Sequence, residues 1–141
     1  MPVGIFLGFD FGYKRIGVAV GQKITQSARP LSTLSANLGI PDWAMVKKLI
    51  QQWHPEALIV GLPTCLDDSE QYTTAAARKF AAQLEKRFAL PVHLVDERLS
   101  TVEARAQLFA EGGYRKIKQS QVDSFAACII LEQWLQHPSS T

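Results

Sequence analysis

The sequence predicts an α/β fold in which a mixed five-stranded sheet, three antiparallel strands followed by two parallel ones, carries helices on both faces. Three observations lead there. Residues 5–21 read as a hairpin of two strands whose bulky and small residues alternate. Ala57-Leu58-Ile59-Val60-Gly61 and Val92-His93-Leu94-Val95 are short, largely apolar runs of the kind found in buried parallel strands. Around those runs the apolar spacing switches to that of amphipathic helices, giving the order β-β-β-α-β-α-β-α-α.

In the first strand Ile5, Leu7, Phe9 and Phe11 share one face, while Phe6, Gly8, Asp10 and Gly12 share the other. The second strand repeats the asymmetry, with Ile16, Val18 and Val20 against Gly17, Ala19 and Gly21. If the small faces coincide, Asp10 stands in a shallow trough that admits a close helix or a ligand. The turn Phe11-Gly12-Tyr13-Lys14 offers a glycine able to take positive φ, and it brings Lys14 and Arg15 near the carboxylate. Residues Ile24 to Leu34 contain Pro30 and suit a third strand at an edge. A turn cluster, Asn37 to Asp42, precedes a helix capped by Asp42 and running through Trp53, with Trp43, Val46, Ile50 and Trp53 as its stripe. His54-Pro55 ends it.

The next helix spans about Glu70 to Phe88, with Ala76, Phe80, Leu84 and Phe88 at four-residue spacing, and Leu90-Pro91 breaks it. Ser100-Thr101-Val102-Glu103 has the form of a capping box opening a third helix that Gly112-Gly113 closes. A polar loop from Tyr114 to Gln119 leads to a final helix with Val122, Phe125, Ala126, Ile129, Ile130 and Leu135 on one face. Residues 136–141 read as a frayed tail.

Composition bounds the answer. A chain of 141 residues suits a single domain over 1–141, large enough to fold unaided. An apolar fraction of 47% and a charged fraction of 20% are those of a globular protein, which sets aside disordered and fibrous classes. The net charge of +2 permits a polyanionic partner without demanding one. Cys65 and Cys128 form neither a CxxC pair nor a disulfide framework. With no signal peptide or membrane-spanning run, the expectation is a cytoplasmic protein without a membrane partner.

In open sheets of this kind ligands sit beyond the carboxyl ends of the parallel strands. Asp10, the loop after Gly61, Asp96-Glu97 and Asp123 can converge on that edge. An all-oxygen group of acids suits a hard cation, and paired Mg²⁺ ions about 3.5 to 4 Å apart serve phosphodiester hydrolysis. Each acid also has a plainer reading. Asp10 can close its strand by bonding turn N–H groups or pair with Lys14 or Arg15. Glu97 can pair with Arg98 or Arg105, although strand alternation favours it over Asp96 as the inward acid. Asp123, three residues after Ser120, also fits a capping box.

Four stretches now matter together: Gly8-Phe9-Asp10-Phe11-Gly12-Tyr13-Lys14-Arg15-Ile16-Gly17-Val18-Ala19, Val60-Gly61-Leu62-Pro63, Asp96-Glu97-Arg98-Leu99-Ser100-Thr101, and Val122-Asp123-Ser124-Phe125-Ala126-Ala127. In content and order they resemble the signatures of the bacterial YqgF family, also called RuvX. The resemblance implies a ribonuclease H-like fold related to the RuvC resolvases. It implies a Mg²⁺- or Mn²⁺-dependent nuclease that processes the 5′ end of the small-subunit (pre-16S) ribosomal RNA precursor, in a family long described as Holliday junction resolvases. The family's catalytic and metal-binding acids fall on Asp10, Glu97 and Asp123. One loop departs from the pattern, with Thr64-Cys65-Leu66-Asp67-Asp68 where the family tends to have Leu-Asn-Met-Asp-Gly. Cys65 there reads as a small neutral occupant.

Lys14, Arg15, Arg98, Arg115 and Lys116 are the candidate substrate contacts, since phosphate contacts give affinity and register. Tyr13 and Tyr114 suit either stacking on splayed bases or packing in turns, and a solvated face is the plainer reading of residues 115–118. The three tryptophans lie on helical stripes and read as core or partner surface. The partners implied are RNA of the ribosomal precursor, structured or single-stranded, the ribosomal particle, and branched DNA in the resolvase alternative. Two further classes remain open: a nucleotide phosphotransferase, for which one domain is too few, and a non-catalytic RNA-binding factor.

Overall fold

The computed structural model describes residues 4–62, 71–96 and 119–136, with the side chains at positions 62, 71–74, 96, 119–123 and 125 outside that description. The predicted helix over 100–113, the loop around Cys65 and the 137–141 part of the tail lie outside the described residues. The elements are β1 (Ile5–Asp10), β2 (Arg15–Gln22), β3 (Ser27–Asn37), β4 (Ile40–Pro41), α1 (Trp43–Trp53), β5 (Ala57–Leu62), α2 (Gln71–Phe88), β6 (Val92–Asp96) and α3 (Gln119–Gln136). The strands form one sheet in the order β4-β3-β2-β1-β5-β6. The first four are antiparallel neighbours, whereas β5 and β6 run parallel to β1.

Alternation decides which side each strand buries. Ile5, Leu7, Phe9, Ile16, Val18, Val20, Leu58 and Val60 form one core with Val46 of α1 and Phe80 and Leu84 of α2. Phe6, Ala19, Ala57 and Ile59 form a second core on the other side, against Ala127, Cys128, Ile130, Leu131 and Leu135 of α3. β5 contributes to both cores, which accounts for its continuous apolar run. The helix caps follow from local chemistry. Asp42 Oδ1 accepts from the Ala44 N–H at 3.0 Å, and His54, in the left-handed region at φ 47°, ends α1 by donating its N–H to Ile50 O.

Several expectations need correction. The sheet has six strands, because Leu38-Gly39 forms a two-residue turn with both φ values positive and folds Ile40-Pro41 back on Ala36-Asn37. The third strand begins at Ser27, since β2 pairs with it as far as Gln22↔Ser27 and leaves Ile24 in the turn, 89% exposed. Pro30 is tolerated there because β4 covers the outer edge of β3 only at residues 36–37. Gly12 does not use positive φ. A Cβ at that position would stand 2.5 Å from Arg15 O, so the turn needs glycine for close approach of backbone. The inward face of α3 also differs, because Ala127 and Leu131 lie against the sheet while Ala126 and Ile129 form a separate small cluster.

Candidate active site

Asp10 is the last residue of β1 and is half-buried. Its neighbours across the sheet are Gly17 of antiparallel β2 and Gly61 of parallel β5. The same row continues to Thr33 beyond Gly17 and to Val95 beyond Gly61. Two glycines, both buried, therefore flank the carboxylate in its row of the sheet. Asp10 belongs to the sheet face that packs on α3, because Phe6, four residues earlier, sits in that core.

The approach of α3 is set by the small residues of that face. A Cβ on Gly21 would stand 2.8 Å from Leu135 Cδ1 and 2.9 Å from Leu131 Cδ2. On Gly8 it would stand 3.0 Å from Leu131 Cβ and 3.2 Å from Ala127 O. Larger side chains would hold the helix off. Gly21 is level with Phe6 in the register, so α3 passes from Leu135 to Leu131 to Ala127 as β1 passes from Phe6 to Gly8. Four helical residues advance about 6 Å and two strand residues about 6.7 Å, so helix and strand keep step over this stretch. Toward its amino end α3 therefore runs the way β1 runs toward Asp10. The amino end of α3 and its partial positive charge thus lie toward the carboxylate.

β6 ends at Asp96, which pairs with Leu62 one position past the Asp10 row. Glu97 follows by one peptide bond and lies outside the described residues, as do Arg98, Arg115 and Lys116. Lys14 and Arg15 are exposed at the turn end of the hairpin. Arg15 shares the Gly17-Ala19-Gly21 face, the same one as Asp10. Tyr13 meets Phe11 edge-on at 6.2 Å and accepts the Gly39 N–H on its carbonyl at 2.9 Å, which is the packed-turn alternative. Thr33 lies on this face of β3, since its neighbour Leu34 is buried on the opposite one.

The tryptophans are structural. Trp134 packs on Phe6 at 5.1 Å and on His93 at 5.0 Å, and Trp43 stacks on Phe80 at 5.8 Å. Cys128 is buried in the α3 core and donates to Ala28 O at 3.0 Å. Burial, with the Glu132 charge beside it, pushes its thiol up to about 12, so it stays protonated and carries no nucleophilic role. Among the described residues no three side chains form a metal-binding group, Glu97 and the Asp123 side chain being outside them. No described helix is long and apolar enough to cross a membrane.

The profile of the family described as "RuvX: Holliday junction resolvase" matches residues 4–137. The chain belongs to the RuvX family. Relatives agree: a Legionella pneumophila protein named "Putative pre-16S rRNA nuclease" is 73% identical over 96% of this chain and 98% of its own length. One of the same name from Klebsiella pneumoniae is 56% identical over 94% and 96%. Among solved structures, this RuvX chain is similar to Thermus thermophilus RuvC in complex with a Holliday junction substrate (TM-score 0.59, 16% identity, 96% of each chain). It is also similar to the yeast mitochondrial Holliday junction resolvase Ydc2 (TM-score 0.54, 11% identity, 96% of this chain and 80% of that one). At those identities the likeness concerns the fold, which is RuvC-like. RuvX is a nuclease family, so the reaction class is phosphodiester hydrolysis.

Proposed function

We propose that the chain is a metal-dependent endonuclease that trims the 5′ end of the pre-16S ribosomal RNA precursor, with Asp10, Glu97 and Asp123 as its catalytic acids. The observation that carries this reading is Asp10 at the end of β1, between Gly17 and Gly61, with α3 stepping toward it along Gly21 and Gly8. An all-carboxylate donor set suits Mg²⁺ or Mn²⁺. Bound there, divalent cations supply water activation and stabilisation of the leaving oxygen. Asp10 holds its carboxylate fixed on a strand packed on both faces, so little reorganisation accompanies reaction. Lys14 and Arg15 offer phosphate contacts at the same sheet end, and Arg98, Arg115 and Lys116 extend that set.

The names of the Legionella and Klebsiella relatives favour ribosomal RNA as substrate. The family description and the RuvC–junction complex favour branched DNA as the second reading. Offering the protein labelled precursor RNA and a labelled four-way junction side by side separates them. Asp10→Asn is expected to lower Mg²⁺-dependent cleavage of the true substrate at least a hundredfold, with an unchanged melting temperature. Wild-type cleavage by this variant would remove Asp10 from the mechanism.

A further inference from the structure

The sheet face away from α3 carries an open apolar groove of about 450 Å³ for which the cleavage chemistry has no use. It lies between the β3–β4 hairpin and α2, with Ile40, Trp43, Ala76 and Phe80 as its lining and Lys79 and Arg87 at its margin. A second groove of about 360 Å³ shares Trp43 and Arg87 and continues to Lys47. Together they hold three basic side chains, and none of the described residues lining them is acidic. The carboxylate closest in the chain, Asp42, is engaged in capping α1.

The hairpin tip is built against the preference of its turn. Leu38, at φ 53°, takes the first position of a turn that favours asparagine, aspartate or glycine. It is 78% exposed, and Ile40 is 64% exposed. A leucine there strains the backbone and buries nothing within the chain. An exposed aliphatic pair at the rim of a groove suits contact with a partner.

We propose that this groove docks a short segment of another protein in which bulky aliphatic residues alternate with carboxylates. Aliphatic side chains would fill the space between Ile40 and Phe80, and the carboxylates would meet Lys79, Arg87 and Lys47. Charge complementarity selects the acidic segment. Aromatic geometry disfavours RNA, because the Trp43 ring already has Phe80 stacked on it and the Arg87 guanidinium 4.4 Å over its centroid. Asp10 faces the opposite side of the sheet, which lets segment and substrate bind together.

The test is selection of a phage-displayed random dodecapeptide library on the full chain. Selected peptides are expected to combine Asp or Glu with Leu, Ile or Phe, and to bind Lys79→Glu and Leu38→Asn at least tenfold more weakly than wild type. Asparagine accepts the left-handed conformation, so Leu38→Asn removes the contact without lowering the melting temperature. Both variants are expected to cleave nucleic acid at the wild-type rate. A library without that enrichment would overturn the proposal, as would selected peptides that bind the variants undiminished. So would a uridine dodecamer that shifts the Trp43 indole resonance where the peptides do not.

Discussion

The two faces of the sheet are packed by different means. Against α1 and α2 the strands present Ile, Leu, Val and Phe, and the space is filled by aromatic rings, with Phe80 meeting Phe9, Phe11 and Trp43 within 5.5 to 5.8 Å. Against α3 the strands present Gly8, Ala19 and Gly21 beside Phe6, Ala57 and Ile59, and the helix comes close enough that a Cβ at either glycine would press on it. Bulky packing stabilises through buried area. Close packing fixes position, and here it carries the first turns of α3 toward Asp10. One face thus serves chiefly stability and the other chiefly geometry.

Substitutions on each face break that comparison in different ways. Phe9→Ala should have the largest effect on stability, about 3 to 5 kcal/mol by chemical denaturation. The molecules that remain folded should cleave normally, since the substitution leaves the α3 contacts alone. Gly8→Ala should cost less, about 1 to 3 kcal/mol, because its Cβ meets the Ala127 carbonyl, which cannot rotate away. Its activity per folded molecule should nevertheless fall about tenfold or more, since α3 must shift beside the acids. Equal activity loss from the two substitutions would erase the distinction between the faces.

The smallest effect concerns the α3 core at high pH. Cys128 has its thiol raised from 9.0 to about 12, so the unfolded chain loses this proton before the folded one does. Its contribution to stability is therefore complete below pH 9 and is lost as pH rises toward 12. In a Cys65→Ser background, iodoacetamide should label native protein slowly at pH 9 and unfolded protein quickly, with Cys128→Ala flattening the corresponding part of the stability–pH curve. Rapid labelling of the native protein would contradict the burial of this thiol.

Where one residue decided a feature locally, the sequence was readable. The alternation of Ile5, Leu7 and Phe9 with Phe6, Gly8 and Asp10 set the two faces of β1, and the Asp42 cap placed the start of α1. The run from Ala57 to Gly61 identified a parallel strand buried on both sides. Features that depend on a distant partner were less legible. Asn37 to Asp42 reads as one turn cluster, so the two residues of β4 inside it went unseen, and the end of β2 moved the start of β3 past Ile24. α3 is buried over Ala126 to Leu131 without a gap, and no periodicity distinguishes the residues that meet Gly8 and Gly21. Asp10 stood out as a carboxylate in an apolar strand, and an ordinary threonine such as Thr33 raises no such alarm.

The order in which the elements occur along the polypeptide has a bearing on biosynthesis. α3 comes after every other described element, yet it covers β1, β2 and β3, the earliest strands to be made. Until residues 119–136 emerge, a nascent chain leaves Phe6, Ala19 and Ile59 uncovered, a surface prone to wrong association. Closing it requires contact between residues a hundred positions apart, as in the Cys128 bond to Ala28. The core between α3 and the sheet is therefore completed late in synthesis.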